Sequence, residues 1–275
     1  MPGELDLVTI RARQVLLDVL EALEEQRHAI ILVGAQAIYL HAGDADLAVA
    51  PFTQDADLAL NPKTLGPIPV LAEAMLAAGF TQTEQPGIWE SRQEGVTVDL
   101  LVPEALGGRP GKRAAYLEGH GNNVARQVRG LEAALIDQDM KHITALEERD
   151  TRRMEITIAG PAALLVAKLH KIAERLDDQR RSQPKDALDV FRLLQAVPSE
   201  TLSTRFALLH RDPLSLETTR SALALLQELF GTETGAGAQL AADAAYPLAD
   251  RAFITAACVA LTQELVNALP QNLSG

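Results

Sequence analysis

AIILVGAQAIYLH at positions 29–41 and DADLAL at positions 55–60 are the two stretches on which the fold depends. The first opens with a continuous apolar run over 29–33 that stops at Gly34, a pattern typical of a buried strand. The residues that follow, 35–41, have helical spacing. The second stretch begins with acidic and apolar residues in alternation, which predicts another strand. Strand, glycine turn, helix and strand therefore form the centre of the expected fold.

Elements expected on either side complete a mixed sheet followed by helices. They are a helix over 7–23, a helix over 70–78, a hairpin of 88–92 and 96–102 around Glu94-Gly95, a loop over 106–130, strands over 131–146 and 154–158, and helices over 162–176 and 185–195, with a break at 231–237 in the helical tail. This order predicts an α+β protein. We expect an α/β domain with a mixed sheet over 1–159 and a helical C-terminal domain over 160–275.

The composition is that of a globular protein with one local concentration of positive charge. The chain has 275 residues, 47% of them hydrophobic, and a formal net charge of −12. Residues 109–192 nevertheless hold 16 of the 25 lysines and arginines. Such a cluster suits phosphate groups at one site better than a long nucleic-acid duplex, although solvated surface charges would give the same counts.

The first residues, the lack of a long apolar stretch and the single cysteine predict a cytoplasmic protein. Residues 1–6 lack the basic segment and apolar run of a secretion signal, and no uninterrupted apolar stretch is long enough to cross a membrane. Cys258 stands alone, which excludes an intrachain disulfide and a zinc site made of several thiolates.

Three aspartates lie on predicted strands. Asp55 and Asp57 are two residues apart, so their side chains share one face of a strand, and Asp99 is the one acid in the apolar run VTVDLLV at 96–102. If the two strands are neighbours, the three carboxylates converge and need a compensating cation. Carboxylate oxygens suit Mg²⁺, and two such ions support nucleotidyl transfer. In the alternative, Asp55 starts a strand, Asp57 faces solvent and Asp99 sits at an edge.

The glycine turn upstream of these acids could bind phosphate. Gly34 permits a positive φ and a close backbone approach, and the N-terminus of the following helix offers free N–H groups. A tight strand-to-helix turn without any ligand would also use glycine. The turn matches neither the Rossmann fingerprint nor a P-loop.

Together these motifs resemble DNA-polymerase-β-type nucleotidyltransferases. That pattern is hydrophobic-Gly-(Gly/Ser/Ala), a helix, Asp-x-Asp on a strand and a third Asp on a later strand. It is represented here by Val33-Gly34-Ala35, Thr53-Gln-Asp55-Ala-Asp57 and Asp99.

Downstream motifs narrow the resemblance to the AbiEii/AbiGii-type toxin nucleotidyltransferases. These are the toxins of type IV toxin–antitoxin systems and relatives of the mycobacterial MenT toxins. The matching motifs are Lys168-Leu-His-Lys171, Arg175 and Lys185-Asp186-Ala-Leu-Asp189, which look like that family's helical lysine and its "KDxxD" helix. The resemblance covers about residues 29–196.

The resemblance implies a role for each of these residues. Asp55 and Asp57 would bind two Mg²⁺ ions, and Asp99 would be the third ligand and help to activate the attacking hydroxyl. Gly34 and Ala35 would offer backbone N–H groups to phosphate, because Ala35 lacks the serine hydroxyl of many relatives. Lys168 would contact the triphosphate, with Lys171 and Arg175 on the same helix face. Asp186 would orient the triphosphate or the network on the base side.

The expected activity is the transfer of a nucleoside monophosphate from an NTP to a hydroxyl group. The resemblance implies a tRNA 3′ end or a protein side chain as the acceptor, toxicity as the outcome and a cognate antitoxin as a partner. Two alternatives remain at this point. One is a non-catalytic NTP-binding or regulatory protein, which Ala35 favours, and the other is a nucleotidyltransferase for small molecules such as antibiotics.

Overall fold

The computed structural model describes residues 7–43, 53–92, 96–109, 111–176, 184–271 and 273. Within those residues, eight strands form one mixed sheet in the order β3-β4-β5-β2-β1-β8-β7, and β6 pairs with β5 outside this path. The strands are β1 (Ile30–Val33), β2 (Asp55–Leu60), β3 (Phe80–Gln82), β4 (Ile88–Ser91), β5 (Thr97–Pro103), β6 (Arg126–Val128), β7 (Gln138–Thr144) and β8 (Arg153–Ala159).

Helices precede, interrupt and follow this sheet. They are α1 (Leu7–Ala22), α2 (Gly34–Ala42), α3 (Leu71–Ala77), α4 (Pro161–Leu176), α5 (Pro184–Ala196), α6 (Ser199–Arg211), α7 (Leu216–Phe230), α8 (Ala236–Ala245) and α9 (Arg251–Ala268). The α+β fold class, with a mixed sheet followed by helices, is thereby confirmed. The division into domains at residue 160 stays a prediction, although the last strand ends at Ala159. In the described part of the chain, no helix combines the length and the apolar character needed to cross a membrane.

The centre of the sheet brings the glycine turn and two acids together. β1 is buried at all four positions and pairs antiparallel with β2, which places Val33 opposite Asp57. β2 pairs in parallel with β5, which places Asp57 opposite Asp99. Opposite residues on neighbouring strands point to the same face of the sheet. The apolar residues of the three strands thus fix the register in which these two acids meet.

The segment predicted as a strand over 131–146 is partly a 3-10 helix. Residues Leu131–Leu135 form that helix, and the strand is confined to β7. The cause is a left-handed turn at Gly130, whose N–H donates to Glu132 Oε2 at 2.8 Å. The predicted loop over 106–130 is also wrong in one place, because β6 lies within it. The predicted hairpin strands are confirmed as β4 and β5, and the centre of their turn, Glu94-Gly95, lies outside the described residues.

Helix α4 connects the sheet to the other C-terminal helices. It packs on the 3-10 helix Leu131–Leu135 and contacts α2, α5, α6 and α7. A second link is ionic: the guanidinium of Arg205, on α6, lies 2.5 Å from Asp137 Oδ1 and 2.9 Å from Asp139 Oδ1. Asp137 is buried, and its other oxygen accepts a 3.0 Å hydrogen bond from the N–H of Ala163 in the first turn of α4. One carboxyl, directly before β7, thus contacts both α4 and α6.

Replacing Arg205 should destabilise this junction. Arg205→Ala removes the cation that faces the buried Asp137, and we expect the free energy of unfolding to fall by about 2–4 kcal/mol. Arg211→Ala, at the exposed end of the same helix, is the matched control and should change it by less than about 0.5 kcal/mol. Urea denaturation of both variants measures the difference. Equal effects would show that the junction does not depend on this ion pair.

Candidate active site

The turn between β1 and α2 lies directly against the carboxyl group of Asp57. Gly34 has a φ of +70°, and a Cβ atom built on it would lie 2.0 Å from Asp57 Oδ2. No L side chain fits this space without displacing that carboxyl. The glycine is therefore required twice, by its backbone conformation and by the close approach of Asp57.

Asp57 and Asp99 lie side by side on adjacent parallel strands. Strands in a sheet are about 4.8 Å apart, so two acids in register are close neighbours. The guanidinium of Arg126, on β6, forms an ion pair with Asp99 Oδ2. Burial raises the pKa of Asp57 to about 7, and the charges of Asp55 and Asp99 add to this effect. The ionised form of Asp57 is therefore disfavoured by burial and by two neighbouring carboxylates, and a divalent cation would relieve both effects.

Asp55 is held differently from the other two acids. The hydroxyl of Thr53 donates to Asp55 Oδ1 at 2.8 Å. The amide of Gln36, in the first turn of α2, donates to the backbone oxygen of Asp55 at 3.2 Å. Arg13, on α1, donates in turn to Gln36 Oε1 at 2.9 Å. The start of β2 is thus tied to the glycine turn and to α1 by side-chain hydrogen bonds.

A buried ionic cluster on α4 and α5 lies across from the acids. Lys168 Nζ is 2.7 Å from Asp186 Oδ1 and 2.9 Å from Asp189 Oδ2. Burial alone would lower the pKa of Lys168, but the two aspartates raise it well above its usual value, so the ammonium stays charged. Asp189 also accepts a 3.0 Å bond from Arg192, whose guanidinium stacks over the Tyr39 ring at 5.3 Å.

Asp186 gathers three cations of α4. Besides Lys168, it is 3.1 Å from Lys171 Nζ and 3.0 Å from the guanidinium of Arg175. Burial alone would raise the pKa of Asp186, but Lys168 and Lys171 hold it well below its usual range. Asp186 therefore orients the cations around it, whereas the predicted contact of this residue with the triphosphate stays a prediction.

A cleft of about 410 Å³ joins the acids to these cations. Six of the predicted site residues line it, and they are Gly34, Asp57, Asp99, Lys168, Lys171 and Arg175. Three arginines that the sequence did not single out line it too, and they are Arg113, Arg126 and Arg129. The predicted residues Asp55, Ala35 and Asp186 are not among the lining residues. The signal that could have found the arginines is the concentration of cations in residues 109–192.

The acids fit a divalent cation in their chemistry and charge. Asp57 and Asp99 present hard oxygen donors in register, and burial together with the neighbouring carboxylates raises the pKa of Asp57. Across the described ranges, no group of three or more His, Cys, Asp or Glu side chains is placed to hold a metal ion. The predicted role of Asp55, Asp57 and Asp99 as joint ligands of Mg²⁺ stays a prediction.

Comparison with known proteins gives one family. A family model described as "Nucleotidyltransferase" matches residues 14–211, which include every residue of the cleft and of the ionic cluster. Neither the curated proteins nor the solved structures include a match to this chain.

Substituting Gly34 should be far more costly than substituting a glycine of similar conformation elsewhere. Gly34→Ala strains the backbone and drives Cβ into Asp57, so we expect a loss of about 2–4 kcal/mol of stability. Gly43 has a φ of +55°, and a Cβ atom built on it would meet nothing within 4 Å, so Gly43→Ala should cost only about 1–2 kcal/mol. Chemical denaturation compares the two, and equal losses would mean that the contact with Asp57 is unimportant.

The raised pKa of Asp57 should make the stability of the protein depend on pH. The pKa rises from 3.8 to about 7 in the folded protein, so the folded state holds the proton more tightly and loses stability as the pH rises through 7. Asp57→Asn cannot ionise. We expect it to be more stable than wild type by about 1–4 kcal/mol at pH 8.5 with EDTA, and to lose that advantage at pH 4. Thermal melts at both pH values measure this, and an advantage that does not change with pH would contradict it.

Proposed function

The chain belongs to the nucleotidyltransferase family, and from this premise we propose that it transfers a nucleoside monophosphate from an NTP to the 3′ hydroxyl of an RNA, as a toxin of a toxin–antitoxin system. The observation that carries this proposal is the cleft in which Gly34, Asp57 and Asp99 face Lys168, Lys171 and Arg175. Acids that can hold a divalent cation and cations that can hold phosphates line the same space. An NTP substrate agrees with the cytoplasmic location that the sequence predicts.

Binding of the triphosphate is assigned to the turn and to α4. Gly34 is the first residue of α2, and the free N–H groups at the N-terminus of a helix favour anions. Lys171 and Arg175 keep exposed surface on the cleft, and Lys168 is fixed in its charged state by Asp186 and Asp189. These cations lie on one face of α4, where together they would neutralise the negative charge of the triphosphate.

The acids are assigned to the reacting end of the nucleotide. Asp57, Asp99 and Asp55 would hold Mg²⁺, which when bound neutralises the phosphate oxygens and activates the attacking hydroxyl. The hydroxyl oxygen forms a bond to the α-phosphorus, the bond between the α-phosphorus and the bridging oxygen breaks, and pyrophosphate leaves. Asp99 accepts the proton of the hydroxyl. Asp57, whose carboxyl lies against Gly34 beside the turn, would be kept ionised by the bound cation.

The charge of the cleft favours a polyanionic acceptor over a cationic small molecule. Six cationic side chains line it against four acidic ones, and Arg113, Arg126 and Arg129 extend the positive surface beyond the residues assigned to the triphosphate. The phosphodiester backbone next to an RNA 3′ end fits such a surface. The choice of tRNA and the toxin role come from the resemblance of Lys168, Lys171 and the Lys185–Asp189 helix to the AbiEii/AbiGii-type toxins.

Labelled nucleotides test this activity. With Mg²⁺ and total tRNA, we expect label from an α-³²P NTP on the RNA and no label from the γ-³²P NTP. Periodate oxidation of the RNA 3′ end should abolish labelling. Asp57→Asn should reduce transfer at least about 10²-fold, because a group that holds the reacting centre is lost. Glu90→Gln, on the exposed face of β4, is the matched control and should act like wild type.

Other outcomes of this assay would correct the proposal. Label that remains on periodate-treated RNA, or that appears on protein, would move the acceptor away from the RNA 3′ hydroxyl. No label from any NTP on any acceptor would contradict the transfer activity. Growth arrest on expression, relieved by Asp57→Asn but not by Glu90→Gln, is the expected result for a toxin.

A further inference from the structure

Arg126 forms an ion pair with one of the two aspartates that line the cleft. It lies on β6, opposite Leu101 of β5, and its guanidinium donates to Asp99 Oδ2. The two side chains are 20% and 13% exposed, so both still reach the cleft. The partner of Arg126 is thus the acid that our proposed function assigns to the cation and to the hydroxyl proton.

The hydrogen-bonding capacity of Arg126 is only partly used in this arrangement. A guanidinium has five N–H donors in a planar fork that matches two oxygens of a phosphate. The Nε of Arg126 is buried, and no hydrogen-bond partner for it exists in the described part of the protein. A buried donor without an acceptor is uncommon and costs stability. The contact with Asp99 therefore leaves at least one buried N–H donor of Arg126 without an acceptor among the described residues.

A divalent cation would change the charges around Arg126. Arg126 pairs with Asp99, and Asp57 lies opposite Asp99 on the neighbouring strand. A divalent cation held by Asp57 and Asp99 would repel the guanidinium from Asp99. Pairing of β6 with β5 would keep the arginine backbone in place, so a side chain released from the acid would remain inside the cleft. Phosphate oxygens of a nucleotide bound there would be available to it as acceptors.

We propose that Arg126 is a placeholder cation: it neutralises Asp99 in the metal-free protein, competes with the divalent ion for that carboxylate, and moves to the phosphates of the nucleotide when the ion binds. The second half of this inference rests on the proposed function, whereas the competition at Asp99 does not. Arg126 is a positioning residue for Asp99 before binding and a nucleotide-binding residue afterwards. Binding of the metal ion at Asp99 and binding of the nucleotide are thereby coupled through the side chain of Arg126.

Metal binding without nucleotide tests the first half. Free Mn²⁺ is followed by electron paramagnetic resonance as it is titrated into the purified full-length protein. Arg126→Gln should bind Mn²⁺ about three- to tenfold more tightly than wild type, because its competitor is gone. Arg129→Gln is the matched control, because it removes the same charge from the same cleft. The ion pair of Arg129 is with Glu217, at 3.6 Å, and not with Asp99. This control should change the affinity by less than about twofold.

Several results would overturn the placeholder role. One is that Arg126→Gln binds Mn²⁺ no more tightly than wild type. Another is that Arg129→Gln gains as much affinity as Arg126→Gln. The third is that neither wild type nor Arg126→Gln binds Mn²⁺. If Arg126→Gln does not fold by circular dichroism, Arg126→Lys provides the test. It keeps a cation but loses the planar fork, so the competition at Asp99 is weakened but not removed, and we expect a gain in Mn²⁺ affinity of about two- to threefold over wild type.

Nucleotide binding tests the second half. The titrant is a non-reactive α,β-methylene NTP with Mg²⁺, measured by isothermal calorimetry. We expect Arg126→Gln to bind it about tenfold more weakly than wild type, with partial recovery in Arg126→Lys. Unchanged nucleotide affinity would overturn the transfer of Arg126 to phosphate. Since neither measurement uses turnover, a failure of the transfer assay and a failure of this inference remain distinguishable.

Discussion

Two carboxylates held in register on neighbouring strands are the constraint around which this protein is arranged. Parallel pairing of β2 with β5 fixes Asp57 opposite Asp99, and the apolar residues around them prevent the strands from slipping. Like charges so close together raise the free energy of the folded state unless cations approach them. The nearby cations have their own partners, Arg126 on Asp99 and the lysines of α4 on Asp186. The repulsion between these acids is the physical reason why we propose a divalent ion for this cleft.

The sheet and the C-terminal helices cooperate in this arrangement. The sheet supplies the acids and the glycine turn, and α4 supplies the lysines that face them. α5 supplies Asp186 and Asp189, which hold Lys168 in place, and Arg192 extends the cluster to Tyr39 on α2. A nucleotide in the cleft would therefore contact residues from both halves of the chain. This explains how a family match can extend from α1 to the end of α6.

The sequence was sufficient for the centre of the fold and for much of the cleft. Burial at every position of β1, alternation in β2 and the position of Gly34 are local patterns, and each was predicted with boundaries within about one residue. The sequence did not predict β6 or the 3-10 helix before β7. Both elements depend on the left-handed conformation of Gly130 and on partners distant in the chain, such as Ala105, whose N–H donates to Glu132. For the same reason Arg126 was missed: its ion pair with Asp99 spans 27 residues and depends on the parallel pairing of β6 with β5.

Clamping of Lys168 between two buried aspartates has a consequence for how tightly any anion can be held. Its ammonium is already desolvated, charged and restricted to one position before a ligand arrives. Binding of an anion near Lys168 would then need little rearrangement of solvent or of the lysine side chain, so the positive charge is preorganised for the anion. Lys171 keeps more surface, and its ion pair with Asp186 is longer. The two lysines should therefore act differently on an anion. Lys168, held in one position, should favour anions with a charged oxygen at that position, whereas Lys171 can move to contact ligands of different length.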